Sequence, residues 1–220
     1  MKKILLPLFF LAAVSCVGRD TELNKKVFEI YDDSLFQSLT NIESSSKKQR
    51  TQITFTNGTA NNCDEYLSLK EQSMIEPNTR NLLVKSEYLE CDVIGAMPSS
   101  QDIEFHHKDN ISSFGQALAT KLDLSSLKTS LSNLLTDDKQ TIMLLHPSEA
   151  VITPNSITID SHSRHFKIKV VATGNINNSS YPDWTAYLSD ELLDSNYRNF
   201  ATLIIYDPSV KQGGFTAEQR

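Results

Sequence analysis

Near residue 140 the apolar residues of this 220-residue chain change their period from three or four to two, and that change limits the architectures open to it. Before it, apolar side chains recur at helical spacing; after it, they alternate with polar ones as on half-buried strands. Helices first and strands afterwards define an α+β fold with an antiparallel meander, unlike the regular alternation that builds a parallel sheet. An apolar content of 39% with 7 Gly and 7 Pro suits a globular domain and excludes collagen-like or elastic repeats.

In the helical half, Leu23, Val27, Tyr31, Leu35, Leu39 and Ile42 predict one long amphipathic helix from Asp20 to about Lys47. Asp20 or Thr21 would cap its start, and Lys47, Lys48 and Arg50 would suit the dipole at its end. Ile53 and Phe55 then alternate before an Asn57-Gly58 turn, and Asn62 with Glu65 resembles a capping box opening a short helix that Pro77 ends. Leu82 to Val93 carries both periods; Val84, Tyr88 and Val93 favour a strand. Residues 97–111 are polar and irregular, so any sub-domain boundary falls there. Phe114, Leu118, Leu122, Leu124, Leu127, Leu131 and Leu134 form a helical middle segment with a break at Asp123.

In the strand half, Thr141–Leu145 reads as a short apolar strand, and Ile157-Ile159 and Phe166-Ile168-Val170 as strands joined by the polar turn 160–165. Trp184-Ala186-Leu188 starts another, and Phe200–Tyr206 is apolar enough to be buried on both faces. Residues 207–220 read as a loose tail.

The N-terminus carries an address. Met-Lys-Lys is followed by an apolar run from Ile4 to Val14, interrupted only by Pro7, and then Ser15-Cys16, the n-region and h-region of an export signal. Eleven helical residues rise only about 16 Å, half a bilayer core, so the run is too short to span. Ala13-Val14-Ser15-Cys16 resembles the end of a bacterial lipoprotein signal. That resemblance, confined to residues 1–16, implies cleavage before Cys16 and acylation there, palmitate included, leaving a single domain, 16–220, held on a lipid bilayer. Val17 is not the Asp that retains enteric-type lipoproteins at the inner membrane, so the resemblance implies the outer membrane, with the body facing the periplasm or the surface. Ala13 stands where such signals favour Leu, and Ala13 with Ser15 also satisfies ordinary cleavage after residue 15, which would release a soluble periplasmic or secreted protein.

With Cys16 lipidated, Cys63 and Cys91 are the pair left over in an oxidising compartment, and a disulfide between them is expected. Neither has a Cys or His neighbour at metal-ligand spacing. The net charge of −6 becomes more negative once Lys2 and Lys3 leave with the signal. No basic footprint for nucleic acid exists, and an acidic body would be repelled by anionic lipid, so an acyl chain must hold it at a membrane.

For chemistry, Asp160, His162 and His165 supply carboxylate and imidazole ligands suited to zinc, and would support a metal-assisted periplasmic hydrolase. The set lacks the Glu of the helical His-Glu-x-x-His pattern, and a solvated turn is the better account of it. His106, His107 and Asp109 form a second polar cluster that would have to fold against the first. No nucleophile elbow, Ser-x-x-Lys motif or cofactor motif occurs. Six aromatics fall within 26 residues, Tyr181, Trp184, Tyr187, Tyr197, Phe200 and Tyr206, among Asp183, Asp190, Glu191 and Asp194. Trp184 and Tyr206 suit a core, whereas Tyr181, Tyr187 and Tyr197 suit anchors for a partner protein or a sugar. The sequence thus points to a non-catalytic envelope lipoprotein, without cofactor, that binds an envelope protein or a glycan.

Overall fold

A computed structural model describes residues 25–98, 103–109, 113–138, 140–146, 148–211 and 213–220. The signal segment, Cys16 and the expected cap at Asp20 or Thr21 lie outside the described residues. Among the described residues, no helix exceeds eight residues, and none is long and apolar enough to cross a membrane. A large, mostly antiparallel sheet is flanked by short helices on both faces, a mixed α/β arrangement in which strands occur from the start of the described chain.

The long N-terminal helix does not form. Lys26–Ile30 is strand β1, followed by helices α1 (Asp33–Thr40) and α2 (Ile42–Ser46). The reason lies in which residues are buried: Phe28 and Ile30, two apart, are enclosed, whereas Val27 of the supposed helical stripe is 43% exposed. Asp32 restarts the chain as a helix, its Oδ1 accepting from the Leu35 N–H at 3.1 Å, and only Leu35 and Leu39 keep the helical spacing.

The expected hairpin forms from β2 (Ile53–Phe55) and β3 (Gly58–Ala60), with its turn at Thr56-Asn57, one residue earlier than expected, so that Gly58 pairs with Phe55. Asn62 caps α3 (Cys63–Lys70), accepting from the Glu65 N–H at 2.9 Å. That helix ends at Lys70, well before Pro77. The stretch read as a strand, Leu82 to Val93, is helical instead: α4 (Thr79–Val84), a 3-10 turn (Lys85–Tyr88) and α5 (Leu89–Ala96) run on from one another. Buried Val84, Tyr88 and Cys91 lie four and three apart, so packing overrides the β-branched residues. Asn78 caps the run through the Asn81 N–H, and Asn81 in turn holds the Thr54 main chain through its own amide.

Residues 103–107, inside the proposed irregular stretch, form β4, which pairs in parallel with β1. The middle segment is helical only at α6 (Phe114–Lys121). Asp123 then breaks it, as expected, and caps a 3-10 turn through the Ser125 N–H. The expected strand at 141–145 is the single-turn helix α7 (Ile142–Leu145), in which Ile142 is buried and Leu144 faces solvent; a short apolar run does not reveal its own period.

From residue 150 the alternating pattern is realised: β5 (Ala150–Ile152), β6 (Ser156–Asp160), β7 (Arg164–Gly174), β8 (Asp183–Leu192) and β9 (Arg198–Ile205) are antiparallel neighbours in succession. One face of the sheet carries Phe166, Ile168, Ala186, Leu188, Leu203 and Ile205 under α6, α7 and the 3-10 turns. The other packs Phe28, Ile30 and Ala172 against Leu35, Leu39 and Val93 of α1 and α5. On β9, Thr202 and Ile204 are buried as fully as Leu203 and Ile205, so that strand is covered on both faces as its composition requires.

The tail 207–220 is not loose. Phe215 and Ala217 are buried, Phe215 setting its ring edge against Trp184 at 5.6 Å, and β10 (Glu218–Gln219) adds to β9. Phe215 also exchanges main-chain bonds with Lys121 and Asp123, each 2.9 Å. Two apolar residues in a polar stretch suffice to clamp it.

Candidate functional site

The three candidate metal ligands sit at the β6–β7 turn. Asp160 Oδ1 lies 2.5 Å from His165 Nδ1 as a cross-strand pair, while His162 is exposed in the turn between them. His106 and His107 are on β4, whose neighbour β1 meets β7 only at residues 172 and 173. The turn is at the other end of that strand, roughly 25–30 Å away at 3.3 Å per residue. His106 faces Glu104 at 3.5 Å, and His107 bridges Asp33 and Asp109. The two clusters do not converge, and among the described residues no group of three or more His, Cys, Asp or Glu side chains is placed to hold a metal ion.

The three tyrosines also separate. Tyr181 precedes β8 and is 47% exposed; Tyr197 follows it, its hydroxyl donating to Asp190 Oδ2 at 3.1 Å. Burial, reinforced by that carboxylate, pushes the Tyr197 phenol up to about 12. Asp190 is itself buried and also accepts from Ser130 N–H and Oγ, so Tyr197 belongs to a brace between β8 and the 129–132 loop. Tyr187 is in mid-strand, half-buried on the face beneath α1 and α5, with a hydroxyl that finds no partner. Trp184 packs edge-on to Phe114 at 4.8 Å, as a core residue should. Tyr206 is half-buried and donates to Glu218 at 3.0 Å.

A different constellation, unremarked in sequence, lies where α3, the 3-10 turn and α5 meet. The fully buried Asp92 carboxylate accepts from Lys70 Nζ at 2.5 Å, Tyr66 Oη at 3.0 Å and Lys85 Nζ at 3.4 Å. Burial lowers the Lys85 ammonium below its ordinary range, Asp92 opposes that shift, and the second cation Lys70 adds to it. Burial and the Asp92 charge hold the Tyr66 phenol protonated. Cys91, next to Asp92, is bonded to Cys63 with 5.0 Å between Cα atoms, so the expected disulfide anchors the same corner.

Lys85 also opens on a cleft of about 540 Å³ between α4 and the edge of the sheet. Pro77, Leu82, Phe200 and Ala217 give it an apolar lining, and the charges around it are mixed, Lys85, Lys128 and Arg220 with Glu76 and Glu218. Lys128 has its main chain tied to Asn199 and Gln219 side chains at 2.5 and 2.9 Å. Strand β10 covers β9 only as far as Thr202, whose carbonyl accepts from the Arg220 N–H at 2.8 Å. Strand alternation sends the Phe200 N–H and C=O to that same outer side, beyond the last paired residue and into the cleft.

No protein-family model, curated protein or solved structure matches the chain.

Proposed function

We propose that this chain is a non-catalytic lipoprotein of the bacterial envelope, anchored through acylated Cys16, that grips an extended segment of another envelope protein along the outer edge of β9. The observation that carries this reading is the cleft beside β9: it has a volume of about 540 Å³, an apolar lining, and Phe200 of β9 at its wall with its main-chain N–H and C=O on the side away from β8. Main-chain bonds to Phe200 would supply affinity, and the pockets beside Leu82 and Ala217 would select side chains. Arg220 is paired with Glu218 at 2.9 Å and Lys85 with Asp92 at 3.4 Å, and Glu76 lines the cleft too, so the exposed Lys128 is the cation placed to meet a carboxylate of the segment.

Two expected results follow. Replacing Cys16 by Ala should move the protein from the membrane fraction to the soluble one, and undiminished membrane association would remove the anchor from this account. Separately, a photoreactive residue in place of the exposed Lys128 should cross-link to a defined peptide of one envelope protein. Phe200→Pro deletes the outward N–H while leaving the bonds to β8 in place, and should reduce that cross-link by about tenfold with the circular dichroism unchanged. A cross-link that survives Phe200→Pro would show that the partner does not use the β9 edge.

A further inference from the structure

Beneath the start of α1, and bounded by the 3-10 turn and α5, lies a second cavity of about 450 Å³. Tyr187 of β8 forms its floor, Asp32, Ser34, Arg50 and Glu90 its walls, and the exposed side chains of Lys48, Gln49, Ser86 and Glu87 its rim. It shares no lining residue with the cleft at the β9 edge, and the reading that follows stands apart from the function proposed above.

Two polar atoms of its lining residues are sealed from solvent without a hydrogen-bond partner, Tyr187 Oη and Arg50 Nε. Native interiors rarely leave such groups unpaired, and two from the lining of one cavity mark it as a built site. Both are donors. The Arg50 Nε–H can only donate, and burial together with the Glu90 and Asp32 charges keeps the Tyr187 phenol protonated. The neighbouring acceptors are already engaged: Glu90 takes Ser34, Ser38 and Arg50 at 2.6, 2.9 and 3.2 Å, Asp32 takes Leu35 N–H and Lys169 at 3.1 and 2.7 Å, and Glu87 takes Thr51 N–H at 3.0 Å. What the site requires is therefore an acceptor oxygen supplied from outside.

Charge then decides the class of ligand. Asp32, Glu87 and Glu90 are balanced by Lys48, Arg50 and Lys169. An anion would enter beside three carboxylates, and a cation would find those carboxylates already hydrogen-bonded. A neutral, oxygen-rich molecule suffers neither cost. We propose that this cavity binds a neutral sugar, one of whose oxygens accepts from Tyr187 Oη and Arg50 Nε. The ring's apolar face lies against Leu89 and the Tyr187 ring, and Gln49 and Ser86 reach the outer hydroxyls. The volume falls within the range of about 300–1,000 Å³ usual for small-ligand sites.

The test is calorimetric titration of the full chain with glucose and N-acetylglucosamine, against glucuronate and glucosamine as charged counterparts. Saturable binding of at least one neutral sugar is expected, with its charged relatives about tenfold weaker or more. Tyr187→Phe should weaken that binding by about five- to tenfold, the worth of one hydrogen bond, without lowering the melting temperature of the sugar-free protein, because the deleted hydroxyl has no partner to lose. Gln49→Trp, at an exposed rim position, should block binding and leave the fold intact. The proposal is overturned by the absence of saturable heat with both neutral sugars, by equal affinity for a charged one, or by unchanged affinity in Tyr187→Phe.

Discussion

Replacing Asp92 by Ala should lower the folding free energy by roughly 3–5 kcal/mol, the usual cost of removing one member of a buried ion cluster. The carboxylate is fully enclosed, and its loss strands Lys85, only 14% exposed, beside Lys70 and beside a Tyr66 hydroxyl deprived of its acceptor. Lys70, at 31% exposure, can turn towards water; Lys85 lies deeper and keeps only the Arg220 carbonyl, at 3.3 Å, on the side of the cleft. Denaturant titration reads the loss, and its pH dependence identifies the cause. Without Asp92 the folded-state pKa of Lys85 falls further below its ordinary 10.5. Between that folded value and 10.5 the unfolded chain binds more protons than the folded one, so stability rises with pH and the deficit of the variant should narrow. Adding Lys85→Met to Asp92→Ala should restore much of the loss at neutral pH, since the two groups are directly coupled. A deficit that is flat with pH and unrelieved by Lys85→Met would mean that burial of the ammonium is not the cause.

The parts of the fold that were legible in sequence are those whose local pattern and final environment agree. Along β7 and β8 the alternation of Phe166, Ile168, Ala186 and Leu188 with polar residues matches a sheet with one dry face, and β9 reads as doubly buried because it is. The Asn62 cap and, to within one residue, the hairpin turn at Asn57 were legible because capping and turn formation are settled within four residues. The errors share one physical origin. Over residues 23–31 the apolar positions satisfied two periods, and only the pairing of β1 between β4 and β7, more than 70 residues away in the chain, decides for the strand. In 82–93 the same ambiguity resolved the other way, because Val84, Tyr88 and Cys91 had to face α3.

The candidate sites divide along the same line. Aromatic density groups Tyr187 as an anchor with Tyr181 and Tyr197, yet Tyr187 is half-buried in mid-strand and the other two lie off opposite ends of that strand. By spacing Arg50 suits the dipole at a helix end, whereas its side chain is 9% exposed and binds the Glu87 carbonyl and Glu90. Lys70, Lys85 and Asp92 are separated by 22 and 7 residues in their two pairings, and no spacing rule connects them until α3 and α5 are both known to be helices. Long-range electrostatic meetings are invisible to periodicity, whereas the one covalent meeting, Cys63 with Cys91, was legible because counting cysteines needs no geometry.

Replacing Cys63 and Cys91 together by Ala should destabilise the domain by about 3–4 kcal/mol on the chain-entropy model, for a bridge joining residues 28 apart. For a domain of this size that corresponds to a fall of about 10 °C in melting temperature. The bridge ties the first turn of α3 to α5, so its loss loosens both helices that converge on Asp92. Both cysteines are fully buried, beside the stacked rings of Tyr66 and Tyr88 at 4.7 Å. A reductant should therefore open the bridge only as fast as that corner unfolds, and mass spectrometry after alkylation should show the folded protein resisting a thiol that reduces the denatured protein at once. Because Cys91 and Asp92 are adjacent, the two destabilisations should not add: the triple variant should lose less than the sum, part of the Asp92 cost having been released when α3 and α5 were freed to separate. Strict additivity would mean that disulfide and ion cluster secure the corner independently, and rapid reduction of the native protein would show that α3 and α5 part without global unfolding.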